Sequence, residues 1–331
     1  METLKVVVMF VAGLLLLIKG GDWFVDSSCG IARRFHIPEI LIGATVVSIG
    51  TTLPEVMVSL QGALGGQGSM AYGNATGSII CNTALISAIT IAVRPSKVDR
   101  KSLKIPVIFF YIAAAIYVVV AYVTKDFSRT VGIILLALFV AYMAYAVINA
   151  FKNPQMQIEE HADAETEKSQ EKADGNIVKD IIMLIVGAVC IAFGANFLLD
   201  SATAIAKAFN VPETVIALTI VALGTSLPEL VTAITSLVKG HGALSLGNII
   251  GANLLNLVLV CGVSMTAAPF PLPSEKMFLG QNASLVVDMP VMLAVMSILC
   301  IPTLIKGKLS RWQGILLLCI YTAFLMFQFV V

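Results

Sequence analysis

Apolar runs long enough to cross a lipid bilayer recur along almost the whole chain, and they limit the possible folds most strongly. A membrane helix needs roughly 20 apolar residues, and the sequence holds ten such runs, named spans 1 to 10 here. They cover approximately residues 4–26, 38–64, 70–92, 104–122, 130–150, 178–203, 212–238, 243–264, 285–305 and 311–330. Only 12% of the residues are charged, against about 25% in soluble domains. The sequence therefore predicts an all-α polytopic protein that is embedded in a lipid bilayer.

The two halves of the chain repeat each other. When residues 20–82 are shifted by 174 positions onto residues 194–256, 22 of 63 positions are identical without a gap. Shared membrane composition would match Leu, Ile and Val, whereas these identities fall largely on Gly, Pro, Glu and Asn. Each half holds five spans, an odd number, so the second half enters the membrane from the opposite face. Inverted repeats of this kind build secondary transporters, whose sites lie near the membrane midplane.

The lysine and arginine residues are distributed unevenly between the loops. Fifteen follow the odd-numbered spans, and five lie on the opposite side. Because positive loops face the cytoplasm, both termini are predicted to lie outside a plasma (inner) membrane. The domains are then a first repeat at 1–150, a cytoplasmic linker at 151–177 and a second repeat at 178–331. A net charge of +1 gives no reason to expect a nucleic-acid partner.

The segment "GTTLPE" places a proline and a glutamate inside span 2, and "GTSLPE" repeats them in span 7. Pro54 lies about 24 Å along a helix that starts at Pro38, so it is near the bilayer centre. Because proline has no N–H, backbone carbonyls are expected to be freed around Ser48 to Thr51. Pro228 repeats this around Ala222 to Thr225. We therefore expect broken helices in spans 2 and 7.

A carboxylate in mid-membrane costs at least roughly 2.5–3.5 kcal/mol, and the chain accepts this at Glu55 and again at Glu229. A simple proline kink requires no carboxylate. We therefore expect protons or a bound ion to neutralise the two glutamates.

Spans 3 and 8 add further oxygen atoms and are also expected to be broken. In "GNATGSIICN", Ser78 and Asn82 are four residues apart and share a helix face. The matching "GNIIGANLLN" contains Asn256, but Ala252 stands where the first copy has Ser78. Buried amides often only bridge helices, yet their recurrence beside both glutamates favours a role as ligands. Gly73 and Gly77 form a GxxxG pattern, which lets another backbone approach closely.

A cavity of carboxylate, amide, hydroxyl and carbonyl oxygens selects hard cations. Ca²⁺ takes six to eight such ligands in flexible geometry, and two carboxylates balance one divalent charge. The same oxygens suit several Na⁺ ions. Competition between the two cations for one site would couple two opposite fluxes.

These paired segments resemble the α-repeats of the cation/Ca²⁺ exchanger superfamily, in particular its prokaryotic sodium/calcium exchanger branch. The resemblance implies ten transmembrane helices in two inverted five-helix repeats, with an ion-binding core of spans 2, 3, 7 and 8. It implies that spans 1 and 6 slide across this core and that Na⁺ is exchanged for Ca²⁺ by alternating access. The implied ion ligands are Glu55, Glu229, Thr51, Thr225, Thr52, Ser226, Asn82, Asn256 and Ser78, with Ser48 and Ala222 acting through their backbones.

Three departures from the family pattern concern the coupling. Thr52 replaces a usual serine but keeps the hydroxyl. Ala252 removes an oxygen from a presumed sodium position and leaves the Na⁺:Ca²⁺ stoichiometry open. Asn256 is an aspartate in many relatives, so its amide argues against K⁺ co-transport.

Three further functions are compatible with parts of the pattern. A Ca²⁺/H⁺ antiporter would use the same glutamates, although the surrounding hydroxyls favour sodium. A passive channel could carry the same inverted repeats. An intramembrane enzyme is disfavoured, because the sequence lacks the paired mid-span aspartates of intramembrane proteases. No cofactor is expected, and the six cysteines and three histidines show no metal-ligand spacing, so zinc is not predicted.

Overall fold

The structure is a computed structural model that describes residues 2–152, 177–208, 222–274 and 276–330. It is almost entirely helical. By span, the helices are Glu2–Arg34 (span 1), Glu39–Ile42 and Ser48–Leu64 (span 2), Gly68–Cys81 and Ala88–Val93 (span 3), Arg100–Val123 (span 4), Arg129–Lys152 (span 5), Ile177–Ala208 (span 6), Ala222–Thr225 and Leu227–Val238 (span 7), Gly242–Leu255 and Cys261–Ala267 (span 8), Met289–Lys306 (span 9) and Arg311–Val330 (span 10). Short π-helical segments join the pieces of spans 2, 3 and 8 and precede the helix of span 9.

Eight helices within the described residues are long and apolar enough to cross a membrane. They correspond to spans 1 to 6, 8 and 9. The first part of predicted span 7, residues 212–221, lies outside the described residues, and its remainder is the shorter helix Leu227–Val238. Span 10 is a helix of 20 residues, which is about 30 Å long. Most of the predicted linker, residues 153–176, also lies outside the described residues.

The interruptions in spans 2, 3 and 8 are π-helical turns. In span 2 this segment is Gly43–Val47, earlier than the predicted disruption at Ser48 to Thr51, and the helix Ser48–Leu64 continues through Pro54. The loss of one hydrogen bond at a proline is local, so the ladder resumes after it. In spans 3 and 8 the π-helical segments begin at Asn82 and Asn256 themselves. Such segments occur frequently at functional sites.

Span 7 is interrupted in a different way. The helix Ala222–Thr225 ends before Ser226, which adopts φ −93° and ψ 6°, and a new helix starts at Leu227. Pro228 occupies its first turn, where the missing N–H removes no helical hydrogen bond. The break in span 7 thus lies one turn before Glu229.

Spans 2 and 8 approach each other closely enough that their backbones touch. A methyl group on Gly247 would collide with the carbonyl oxygen of Ile40, and one on Gly251 would lie 2.5 Å from the Ala44 Cα. Gly247 and Gly251, which are spaced as in a GxxxG pattern, therefore pack against span 2.

Spans 1 and 6 form a separate antiparallel pair. A methyl group on Gly13 would lie 3.0 Å from the Gly194 carbonyl oxygen, and one on Gly20 would lie 3.0 Å from that of Gly187. A second hydrophobic cluster, distinct from the main one, contains Leu17, Phe24 and Ile191 of this pair and joins it to Ile42 of span 2 and Leu244 of span 8. Only 22% of the residues in the apolar stretch of span 1, and equally of span 6, are buried, against 83% in span 8. The pair therefore lies at the periphery of a core that is centred on span 8.

The loops meet in two groups. Strand β1 (Asp126–Phe127), between spans 4 and 5, pairs antiparallel with β2 (Phe270–Pro271), between spans 8 and 9. A hairpin of β3 (Met277–Phe278) and β4 (Gln281–Asn282) follows. Lys97, between spans 3 and 4, forms an isolated bridge with Lys308, between spans 9 and 10. Loops after even-numbered spans thus meet each other, and so do loops after odd-numbered spans.

A tyrosine of span 5 donates a hydrogen bond to a backbone carbonyl in the π-helical segment of span 2. The Tyr142 hydroxyl donates to the Ala44 carbonyl oxygen at 2.7 Å, and its side chain is fully buried. Tyr142→Phe is expected to lower stability by about 1–3 kcal/mol because a buried carbonyl loses its donor. The measurement is the thermal midpoint in detergent, with Tyr145→Phe as control because Tyr145 is 43% exposed. Equal midpoints for the two variants would contradict this role of Tyr142.

Candidate functional site

Ten of the eleven predicted site residues are buried or half-buried where spans 2, 3, 7 and 8 contact one another. Glu55, Glu229, Asn82 and Asn256 have no exposed surface at all. Thr51, Thr52, Ser226, Ser78 and Ser48 are also buried, and Thr225 is half-buried. Ala222 begins the helix Ala222–Thr225. Segments of these four spans contact one another.

The two glutamates meet although 174 residues separate them. The carboxyl groups of Glu55 and Glu229 are neighbours that interact electrostatically, and the Thr51 hydroxyl lies beside Glu229. Glu55 lies one turn after Thr51 on the helix Ser48–Leu64, and Glu229 lies in the first turn of Leu227–Val238. The first turn of a helix is a position that suits an acidic side chain, and the break in span 7 places Glu229 there.

Six of the predicted ligands carry buried polar atoms without a hydrogen-bond partner among the described residues. They are both carboxylate oxygens of Glu55 and of Glu229, both amide atoms of Asn82 and of Asn256, and the hydroxyls of Thr52 and Ser226. The six residues form three pairs related by the 174-residue shift. Buried polar groups are almost always paired in proteins, so a concentration of unpaired groups here indicates a site for a ligand. Counting one amide oxygen per asparagine, eight oxygens are available.

The remaining predicted ligands with described hydroxyl contacts are already engaged within the protein. The Ser48 hydroxyl donates to the Thr45 carbonyl oxygen at 3.1 Å. The Thr51 hydroxyl lies 3.4 Å from the Ser48 carbonyl oxygen and 3.3 Å from Asn248 Oδ1. The structure thus places Ser48 and Thr51 next to the unpaired oxygens, where they hold the chain in position.

Two further asparagines border the site. Asn74 donates to the Glu55 carbonyl oxygen at 3.2 Å and to the Ser59 hydroxyl at 2.8 Å. Asn248, its partner in the repeat, accepts from Thr51 as described above, and its Nδ2 has no partner within the described residues. Asn74 thus joins span 3 to span 2, and Asn248 joins span 8 to span 2. Amides that match between the repeats therefore also have structural roles.

Sequence reasoning did not single out Asn253. Its Nδ2 donates to the Thr83 hydroxyl at 2.7 Å, while its Oδ1 is buried without a donor among the described residues. The 174-residue shift maps Asn253 onto Ile79 and Thr83 onto Leu257, so comparison of the repeats gives no signal for this pair. Its polarity within an apolar span was the one available indication.

The chemistry of the site follows from two buried carboxylates without a protein cation beside them in the described part of the chain. An uncompensated buried charge costs several kcal/mol, so each carboxylate must be neutralised by a proton or by a cation. Among the unpaired atoms, those that can bind a metal ion are the carboxylate, amide and hydroxyl oxygens. Oxygens are the ligand set of hard cations such as Ca²⁺. The site can hold a divalent cation or exchange it for other positive charges.

The chain matches one protein family along nearly its whole length. The model of the Sodium/calcium exchanger protein family matches residues 5–148 and 179–330. The chain belongs to the sodium/calcium exchanger family. The resemblance drawn from the paired segments is therefore confirmed.

Relatives and solved structures of this family agree over the full length. The sodium/calcium exchanger MaX1 of Methanosarcina acetivorans is 29% identical over 345 residues, covering 96% of each chain. An uncharacterised membrane protein of Methanocaldococcus jannaschii is 33% identical over 315 residues, covering 94% of each chain. The sodium-calcium exchanger NCX_Mj, solved after soaking with Na⁺ and Sr²⁺, is 32% identical with a TM-score of 0.78 and 97% coverage of each chain. The protein is therefore an integral membrane transporter of this family, with a fold like that of NCX_Mj.

Proposed function

We propose that the protein exchanges Na⁺ for Ca²⁺ across its membrane and that Glu55 and Glu229 bind both ions at one central site. The observation that carries this proposal is the set of three repeat-matched pairs whose buried oxygens lack protein partners among the described residues. The two carboxylates balance the charge of one Ca²⁺ ion, and the amide and hydroxyl oxygens raise the ligand number towards the six to eight that Ca²⁺ takes. Membership of the sodium/calcium exchanger family supports the same pair of ions.

Coupling follows if Na⁺ and Ca²⁺ compete for the same carboxylates. A site emptied of Ca²⁺ leaves two buried negative charges, whose unfavourable burial is relieved when Na⁺ ions bind. Thr52 and Ser226 flank the glutamates with hydroxyls that lack partners among the described residues, and they would contribute to the sodium positions, with Ser78. Ala252 offers no oxygen opposite Ser78, so we expect one sodium position to be weaker or absent.

The overall arrangement that we propose is ten transmembrane helices in two inverted five-helix repeats, at 1–150 and 178–331, joined by a linker. The antiparallel packing of spans 1 and 6 supports inversion. The 174-residue shift converts Gly13 into Gly187 and Gly194 into Gly20. The contact of Gly13 with Gly194 therefore maps onto that of Gly187 with Gly20, and both are present. The grouping of odd-numbered and even-numbered loops supports alternate crossing of the membrane. With positive loops inside, both termini lie outside the plasma membrane and the linker is cytoplasmic.

Alternating access would arise from movement of spans 1 and 6 over the core. The peripheral position of these spans, which contact each other along their length, supports this division. The ion site lies in the core and would stay fixed while the pair opens one side or the other. This arrangement agrees with the midplane sites of inverted-repeat transporters.

A Ca²⁺/H⁺ antiporter is the second candidate, and the adjacency of the two carboxyl groups favours it. Neighbouring carboxyls in a low-dielectric site readily share a proton. Protons could therefore neutralise the same site when Ca²⁺ leaves.

An imposed ion gradient separates the two candidates. In proteoliposomes, ⁴⁵Ca²⁺ uptake is expected to follow an outward Na⁺ gradient and to stay at background with an outward H⁺ gradient in Na⁺-free buffer. Protein-free vesicles give the background in both arms. Uptake that follows only the H⁺ gradient would replace the proposal with the second candidate. A K⁺ ionophore can be added so that K⁺ efflux balances the charge that enters with Ca²⁺. Uptake of ⁴⁵Ca²⁺ under this condition, without any Na⁺ or H⁺ gradient, would indicate a passive channel.

A further inference from the structure

A cluster of metal-ligating side chains lies away from the ion site, where spans 1, 2 and 8 meet. The Cys29 sulfur, a Glu39 carboxylate oxygen and a His241 ring nitrogen all lie within 4.8 Å of one another. Cys29 lies on span 1, Glu39 begins the first helix of span 2, and His241 immediately precedes the helix of span 8. The sequence gives no hint of this cluster, because more than 200 residues separate His241 from Glu39 and Cys29.

The geometry is close to that of a three-ligand metal site. His241 Nδ1 lies 2.8 Å from Glu39 Oε1. Ligands in a tetrahedral zinc site lie about 2.0–2.3 Å from the metal, which places them roughly 3.3–3.8 Å from each other. Side-chain adjustments of about an ångström would therefore bring all three ligand atoms around one centre.

The burial of the cluster also suits a bound ion. Cys29 is 2% exposed, and the side chains of His241 and Glu39 are 19% and 22% exposed. A thiolate and a carboxylate together balance a charge of 2+, and the imidazole adds a neutral ligand. Partial solvent exposure leaves room for water as a fourth ligand, as in open zinc sites.

The Lys239 ammonium, two residues before His241, has partners of its own. Lys239 Nζ lies 2.8 Å from Asp26 Oδ1 and 3.2 Å from Asp22 Oδ1. Although partial burial lowers the pKa of Lys239, hydrogen bonds to Asp26 and Asp22 outweigh it and raise this pKa. The ammonium is thus held by two aspartates and does not compete with a cation for Glu39.

We propose that Cys29, Glu39 and His241 bind Zn²⁺ or a divalent cation of similar ligand preference, and that the bound ion ties span 1 to spans 2 and 8. The mixed sulfur, nitrogen and oxygen set differs from the all-oxygen ion site, so the two sites select different cations. Cys29 belongs to the peripheral pair of spans 1 and 6, whereas Glu39 and His241 belong to segments packed on the core. A metal bridge would therefore stop relative movement of the two parts. This consequence for exchange rests on the proposed function; metal binding itself does not.

Binding is tested on the purified full chain in detergent with Co²⁺ as a spectroscopic probe. The expected result is one Co²⁺ per chain with a thiolate-to-metal absorption band, which added Zn²⁺ abolishes. Cys29→Ser should remove the band, and His241→Gln should weaken Co²⁺ binding at least tenfold. The controls are Cys319→Ala, which removes an exposed cysteine, and metal-free thermal midpoints, which should match across all variants. A wild-type protein without a thiolate band, or a band that survives Cys29→Ser, would overturn the site.

The effect on transport is tested in proteoliposomes with and without Zn²⁺. Zn²⁺ is expected to inhibit Na⁺-driven ⁴⁵Ca²⁺ uptake by the wild type and to leave uptake by Cys29→Ser unchanged. Equal inhibition of both would place the action of Zn²⁺ at the transport site and overturn the bridging role. Absence of Na⁺-driven uptake in metal-free wild type would instead count against the proposed function, and the Co²⁺ band would still decide the metal site.

Discussion

Replacing either Glu55 or Glu229 by glutamine is expected to reduce Na⁺-driven ⁴⁵Ca²⁺ uptake to the level of protein-free vesicles. Glutamine keeps the size and the oxygen of the side chain but removes one of the two charges that balance Ca²⁺. Two unit charges 4 Å apart interact by about 4 kcal/mol at an effective dielectric constant of 20. Because each 1.4 kcal/mol is a factor of ten in affinity, Ca²⁺ binding should weaken by at least roughly 100-fold.

The matched control for these variants is Asp288→Asn. Asp288 is a partly buried carboxyl group in the π-helical segment before the helix of span 9, and it accepts a hydrogen bond from Gln328 Nε2 at 3.1 Å. Its amide variant should keep wild-type uptake. Thermal midpoints of both glutamine variants should equal or exceed the wild-type value in metal-free buffer, because a buried charge is removed. Wild-type uptake by Glu55→Gln or Glu229→Gln would exclude that glutamate from the ion site.

Gly247→Ala is expected to destabilise the protein by about 3 kcal/mol or more, at the upper end of the usual cost of overpacking. The added methyl group would collide with the Ile40 carbonyl oxygen and would lie 2.9 Å from the Ile40 Cα. Backbone atoms cannot rotate away as a side chain can, so spans 2 and 8 must move apart. The expected readouts are a lowered thermal midpoint and a loss of the monodisperse peak in size-exclusion chromatography.

Gly242→Ala is the control for this substitution, since it adds the same methyl group to the same helix. There the methyl group would lie 3.7 Å from the Ser96 hydroxyl oxygen, which is an ordinary contact. Gly242→Ala should therefore match the wild type. If Gly247→Ala matched it as well, the close approach of spans 2 and 8 would be wrong.

The identities of the candidate ligands could be predicted from the sequence because the chain contains its own comparison. Glu55 and Asn82 stand out against the apolar background only when Glu229 and Asn256 recur 174 residues later. The apolar runs predicted the helical membrane class, and the resemblance of the paired segments predicted the family. Comparison of the repeats failed where a residue has no partner in the repeat, as for Asn253, and the position of Pro54 did not predict the π-helical segment at Gly43–Val47.

The domain boundaries, the inverted orientation and the ligand roles remain predictions, and the experiments above address the ligand roles directly. Residues 153–176 of the linker predicted at 151–177, and the first part of span 7, lie outside the described residues.

The sequence by itself determined that this protein is embedded in a lipid bilayer and that its candidate site offers oxygen ligands. Both follow from the hydrophobicity and the side-chain chemistry of individual residues. Only the tertiary structure decided which of these residues meet. The carboxyl groups of Glu55 and Glu229, the Tyr142 hydroxyl with the Ala44 carbonyl, and the cluster of Cys29, Glu39 and His241 are each brought together from distant parts of the chain. Such meetings depend on how closely helices pack, and glycines allow close packing at the contacts between spans 2 and 8 and between spans 1 and 6.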